Sequence, residues 1–152
     1  MAEYIYNEPQ TLQPGAAAVL EAAIPCNKGL VIHRAGSGIL TLRGRVNNPC
    51  AQFARYRVSY DGNIAVPTGG TAGEIQIALA IGGEVVPTSI AAATPAAVEQ
   101  YWNVNGFAII DVPAGCCYTV SVENASVSAD PATTPASALS LRNLNVEVTR
   151  LA

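Results

Sequence analysis

Charge is what this chain has least of. Asp, Glu, Lys and Arg make up 12% of its 152 residues, about half the share usual in a soluble domain. Lys28 is the only lysine, His33 the only histidine and Trp102 the only tryptophan. So few ions leave much of a monomer's surface uncoated, and part of that surface is expected to be covered by sister copies or a larger assembly. The eight basic residues are scattered and the net charge is −3. Phosphate backbones require a clustered cationic face, so nucleic acid is not an expected partner.

Long apolar runs are missing as well. A membrane span needs roughly 20 apolar residues; residues 90–98 come nearest and contain Pro95. The first residues have neither a basic n-region nor an apolar h-region, so no signal peptide is read there. No membrane partner is expected, and the protein is expected to be made in the cytoplasm and at first to stay there. Cys26, Cys50, Cys116 and Cys117 are then expected as reduced thiols. No pair has C-x-x-C spacing and a lone histidine does not complete a zinc site, so no metal and no cofactor are expected. If Cys116 and Cys117 lie on a strand, one faces the core and the other faces out.

Signals for catalysis are equally thin. A nucleophile such as Cys26 needs a base in hydrogen-bond reach and a third group to orient it, and nothing around His33 nominates that set. Glu21, Asp61, Glu74, Glu84, Glu99, Asp111, Glu123 and Glu147 are spread along the chain with no motif pairing any two. Gly36-Ser37-Gly38 lacks the phosphate-loop pattern and reads as a turn. The expectation is a protein that is not an enzyme.

What the sequence does hold is alternation. Half the residues are hydrophobic, mostly Ala, Val, Ile and Leu, with only 6% aromatic, which predicts an aliphatic core. Residues 53–66 form the clearest strand, with Tyr56, Val58, Tyr60, Ile64 and Val66 in one phase and Arg55, Arg57, Ser59 and Asp61 in the other. Arg43 and Arg45 share strand spacing too. Both arginine pairs read as solvated outward positions, with a subunit contact as the alternative. Residues 30–33 and 39–43 flank the Gly-Ser-Gly turn as a hairpin, and residues 75–81 alternate before a Gly82-Gly83 turn. Residues 16–24 are a strand candidate with Leu20, Ala22 and Ile24 on one face. Residues 88–100 are alanine-rich, with room for a helical turn but not a long helix. Residues 102–112 are apolar in both phases, as in a strand covered on both faces. In the last strand the apolar phase slips near Arg142 and Asn143, as a β-bulge produces. About eight short strands with regular turns give an all-β, two-sheet antiparallel sandwich. Residues 1–15, with Pro9 and Pro14, read as an extended N-terminal arm before a single domain at 16–152.

Three segments carry a resemblance. They are Ala54-Arg55-Tyr56-Arg57-Val58-Ser59-Tyr60-Asp61-Gly62-Asn63-Ile64, Val112-Pro113-Ala114-Gly115-Cys116-Cys117-Tyr118-Thr119-Val120-Ser121-Val122-Glu123-Asn124 and Leu144-Asn145-Val146-Glu147-Val148-Thr149-Arg150-Leu151. With the Ile81-Gly82-Gly83 hairpin, they resemble jelly-roll domains of the tumour-necrosis-factor/complement-globular-head type found in bacteriophage structural proteins. The resemblance covers residues 16–151. It implies a two-sheet jelly roll that forms a tight homotrimer, serves as a head decoration or fibre protein of the virion, and binds the major capsid protein or another virion protein. No catalytic residue carries over. The chain lacks a collagen-like stalk, which favours a capsid-surface protein, with the arm reaching a neighbouring shell subunit. The alternative is a receptor- or glycan-binding fibre tip. Candidate interface residues are Tyr4, Tyr6, Tyr101, Trp102 and Phe107. Tyr101, Trp102 and Phe107 form the densest aromatic cluster, readable as core packing, as interface anchors or as a sugar-stacking platform.

Overall fold

Strict alternation decides the longest strand, and the sandwich is assembled on it. The computed structural model describes residues 1–26, 29–47, 50–128 and 130–152; the turn that Pro25 and Gly29 predict and the loop that Asn47-Asn48-Pro49 predicts lie partly outside them. Strand β6 (Phe53–Ala65) buries Ala54, Tyr56, Val58, Tyr60 and Ile64 on its inner face. It runs unbroken through Asp61 and Gly62, so that pair is part of a strand and not a hairpin turn.

Two antiparallel sheets face each other. In the first, β6 lies between β10 (Trp102–Pro113) and β12 (Leu139–Arg150); β12 is followed outward by β1 (Ala2–Tyr6) and β3 (Glu21–Ile24), and β2 (Gln10–Leu12) pairs with the start of β12. The second runs β4 (Val31–His33), β5 (Leu40–Arg43), β11 (Cys117–Asn124), β7 (Ile75–Ile81) and β8 (Glu84–Val85), with β9 (Ala91–Ala93) also on β7. A 3-10 turn, Pro87–Ser89, bridges β8 and β9. The fold is a jelly-roll β-sandwich. The strands beyond the expected eight are short pieces, such as β2, β8 and β9, too brief to show alternation.

Two turn-level readings hold. Gly82 and Gly83 both take positive φ, 60° and 87°, the requirement of a two-residue hairpin turn whose twist matches its strands. In β12 the pairing with β6 slips between Arg142 and Asn145, and Asn143 adopts φ 53°. That is the bulge, and it lets Leu141 and Leu144 both enter the core although they differ in parity.

The N-terminal arm is corrected. Residues 2–6 are extended, but as β1, hydrogen-bonded between β12 and β3. Ala2 and Tyr4 are 0% and 1% exposed, within the domain's own core. The prolines stop regular pairing only around residues 7–9 and 13–16. The strand expected at 16–24 is corrected as well. Residues 15–18 pair with β11, where the Gly15 amide donates to the Asn124 carbonyl and the Ala18 amide to the Val122 carbonyl. The chain then crosses to the first sheet, Leu20 staying buried while all four residues of β3 are exposed. A sheet switch breaks the single phase that Leu20, Ala22 and Ile24 suggested.

The core holds three tyrosines besides its aliphatic residues, and they are placed for more than bulk. Tyr4, Tyr56 and Tyr60 are at most 2% exposed. The Tyr56 hydroxyl crosses the sandwich to the Arg43 carbonyl at 2.6 Å, with the Leu30 carbonyl at 3.3 Å. The Tyr60 hydroxyl lies 2.6 Å from the Ser89 carbonyl and 3.0 Å from that of Ile77. Burial pushes both phenols up from their ordinary value of 10.0, so they stay neutral donors. Gly106 on β10 is glycine because a Cβ there would come 2.6 Å from the Ser89 oxygen and 2.7 Å from the Tyr60 hydroxyl. Tyr60→Phe keeps the ring and deletes the donor, leaving buried carbonyls unsatisfied, and should lower stability by ~1–3 kcal/mol in urea unfolding; an unchanged midpoint would contradict the cross-sandwich role.

Candidate assembly surface

The outer face of the first sheet is open, and it is built from the off-phase residues of β6 and β10. Register sets Phe53 beside Pro113, Arg55 beside Asp111, Arg57 beside Ile109, Ser59 beside Phe107 and Asp61 beside Asn105. Phe107 is 52% exposed and Ile109 49%, while Val104, Ala108, Ile110 and Val112 on the same strand are buried. The two-phase apolar run at 102–112 therefore has one face in the core and one face uncovered in the single chain. The expectation of a strand covered on both faces is not met by this chain alone.

Arginines cover the aromatics of that face. The guanidinium of Arg57 sits 5.0 Å from the centre of the Phe107 ring, that of Arg55 4.9 Å from Phe53, and that of Arg142 3.8 Å from Tyr101. Such stacking suits Arg, whose planar, weakly hydrated head rests on a ring face and tolerates burial at a contact. Arg55 also forms a two-point pair with Asp111, Nε to Oδ1 at 2.7 Å and Nη2 to Oδ2 at 2.8 Å. That hydrogen bond holds the Asp111 carboxyl below its ordinary value. The pair is well exposed, so it orients side chains more than it stabilises the fold.

Beside these stacks lies a depression of about 310 Å³, whose lining includes Arg57, Asp61, Asn105, Phe107, Asn145 and Glu147. It offers one ring face with a cation, carboxylates and amides around it. Across β12, Glu147 is the register partner of Glu3 on β1. Asn145 Nδ2 donates to Glu3 Oε1 at 2.8 Å and Thr149 Oγ1 to Glu147 Oε1 at 2.8 Å, which keeps the two carboxylates apart.

The five candidate interface residues separate. Tyr4 is in the core, its ring 4.9 Å from that of His33, and so is not available at an outer contact; Tyr6 is half-buried against the same core. Tyr101 is half-buried, its hydroxyl 2.8 Å from Ser140 Oγ. Trp102 has the inward parity of Val104 but lies at the strand's end, where it is 49% exposed. Phe107 is on the outer face with Arg57. Adjacent in sequence, Tyr101 and Trp102 point oppositely, so the aromatic cluster is not one patch. Ile109, Phe53 and Arg142 belong to the face and were not singled out from sequence; the apolar off-phase of β10 and the strand spacing of Arg55 and Arg57 were the signals for it.

His33 and the cysteines have local explanations. His33 Nε2 lies 2.9 Å from the Ser37 carbonyl and donates to it, closing the β4–β5 hairpin. Cys116 is in the turn before β11 and Cys117 is its first residue, so alternation does not govern the pair and both are exposed. This corrects the expected core thiol. Among the described residues no three His, Cys, Asp or Glu side chains are grouped to hold a metal ion. Among the same residues no helix is long and apolar enough to cross a membrane.

No protein-family model matches the chain, and no curated protein matches it. Among solved structures, it is similar to the globular domain of a zebrafish complement 1qA protein at 11% identity and a TM-score of 0.52, over 95% of this chain and 92% of that one. Two others are the C-terminal domain of EclA, a sugar-binding protein (14% identity, TM-score 0.34, 82% of this chain and 88% of that one), and the CBM22-1 xylan-binding domain of Paenibacillus barcinonensis Xyn10C (12% identity, TM-score 0.36, 99% and 94%). The first likeness is one of fold, and it agrees with the jelly-roll topology described above.

The Arg55–Asp111 pair sets a pH dependence. A carboxylate held low in the native state adds stability above its unfolded value and loses it as pH falls. In a carboxyl NMR titration, Asp111 should titrate below 3.8, its ordinary value, and Arg55→Gln should move it up; an unmoved titration would show that Arg55 is not the cause.

Proposed function

We propose that this chain is a non-enzymatic structural protein of a bacteriophage virion, a homotrimeric jelly roll that decorates the capsid. One observation carries the reading: the outer face of the first sheet is uncovered, and on it Phe107 and Ile109 lie half exposed beside arginines stacked on rings. A contact rich in aromatics and arginine and poor in lysine has the composition of a protein interface. The low charge of the chain supports the same reading, since it disfavours a solitary life in solution. Burial of this face between three copies would form the trimer. Capsid attachment then belongs to the surfaces the trimer leaves free, because residues 2–6 are committed to the sheet and do not form a reaching arm.

A second reading is a glycan- or receptor-binding fibre tip, favoured by the depression in which the exposed Phe107 ring sits among amides and carboxylates. The two readings separate at Phe107. Under the first, light scattering on size-separated protein should give the mass of three chains, and Phe107→Glu should give a folded monomer. Under the second, Phe107→Ala abolishes binding on a glycan array and leaves the mass unchanged. A wild-type monomer would overturn the trimeric decoration protein.

A further inference from the structure

We propose that the end of the sandwich where β5 meets the β10–β11 turn is a binding site for a phosphate-class oxyanion, held by Arg43, Arg45 and Arg150. The proposal is independent of the trimer, since the site lies at an end of the sandwich and not on the outer face of the first sheet.

The three arginines line one depression of about 330 Å³, and no acidic side chain is in its wall. In a chain with seven arginines and a net charge of −3, three cations in one depression with no Asp or Glu side chain among them are a local excess. Their mutual repulsion is relieved when an anion enters. Sequence spacing pairs Arg43 with Arg45, but Arg150 arrives from the far end of the chain through β12.

The backbone that carries Arg43 and Arg45 is fixed. The Arg43 amide donates to the Leu30 carbonyl at 2.9 Å, the Gly44 amide to the Cys116 carbonyl at 2.8 Å, and the Gly115 amide to the Arg45 carbonyl at 3.0 Å. Gly44 is glycine because a Cβ there would clash with the Pro113 carbonyl oxygen and lie 3.0 Å from that of Cys116. The Pro113-Ala114-Gly115 turn thus clamps β5 and aims the residues on either side of Gly44. Beneath them the Tyr56 hydroxyl holds the Arg43 carbonyl at 2.6 Å. Burial raises that phenol while the charges of Arg150 and Arg43 oppose the rise, so both cations act on the same spot.

A second observation singles out Arg45. Arg45 Nε is buried without a hydrogen-bond partner among the described residues. A buried charged donor is rarely left unpaired. Arg150 Nε donates to the Ala152 carbonyl oxygen at 3.1 Å, which anchors the side chain. Guanidinium forks match the spacing of oxygen pairs on phosphate, sulfate and carboxylate. Three of them, with no Asp or Glu side chain in the wall, favour a dianion with oxygens in three directions over a single carboxylate.

Titration calorimetry on the full chain tests the site, with sodium phosphate, sodium sulfate and sodium acetate at one ionic strength held by chloride. Phosphate and sulfate should bind once per chain and acetate should not. Arg45→Gln and Arg43→Gln should each weaken phosphate binding by about tenfold or more, while Arg34→Gln, in the exposed hairpin turn, should leave it unchanged. Arg43 is exposed, so its variant remains informative if Arg45→Gln disturbs folding. A sugar phosphomonoester binding as well as inorganic phosphate would identify the source as a phosphate group on a larger ligand; binding of inorganic phosphate alone would identify the free ion. Absent binding, equal responses to all three salts, or unchanged binding in Arg43→Gln would overturn the proposal.

Discussion

Tyr56 and Tyr60 stand on the same face of the central strand and reach across the core to backbone carbonyls of the opposite layer. Aliphatic side chains hold two sheets together by area, which is non-directional and tolerates sliding. A buried phenol that must find an acceptor is directional, and leaving it unpaired is costly. These two hydroxyls therefore fix how the sheets lie over one another. Ser89 extends the constraint: its carbonyl accepts from Tyr60, and its own hydroxyl accepts from the Leu79 amide at 2.9 Å and donates to the Val86 carbonyl at 2.8 Å. Gly106 is the steric complement, since only a residue without a Cβ lets β10 pass that junction.

Because the layers are closed from within, the outer face of the first sheet is free of structural duty. It is there that the chain places Phe53, Phe107 and Ile109, and there that it uses three of its few cations as covers for rings. A soluble domain ordinarily keeps such a face wet with lysine and glutamate. The remaining cationic concentration, at the end of the sandwich, is of a different kind: among the described residues its guanidiniums stack on no ring, and its wall holds no Asp or Glu side chain. Scarce charge is thus used in two places, one suited to apolar contact and one to an anion.

Much of the fold was legible because alternation and turn chemistry are local. β6, β7, the β4–β5 hairpin and the Gly82-Gly83 turn follow from parity and glycine placement, and the bulge in β12 follows from a phase slip between Leu141 and Leu144. What was not legible depends on contacts far along the chain. β1 is a strand because β12, more than a hundred residues on, supplies its partner. Residues 15–24 change sheets, which no single phase describes. Tyr101 and Trp102 are neighbours whose opposite directions are decided by where β10 begins. Arg150 joins Arg43 and Arg45 only through the closing strand. The outer face was half legible: the two-phase apolar run of β10 signalled it, but not that one side would stand uncovered.

Covering of that outer face is the central claim, and side-chain footprinting with hydroxyl radicals reads it residue by residue. In the native particle Phe107 and Phe53 should be modified much more slowly than their half-exposed positions in a single chain allow, and they should speed up when the particle is dissociated. Modification of Phe107 at the same rate in the native particle and in dissociated chains would contradict the account.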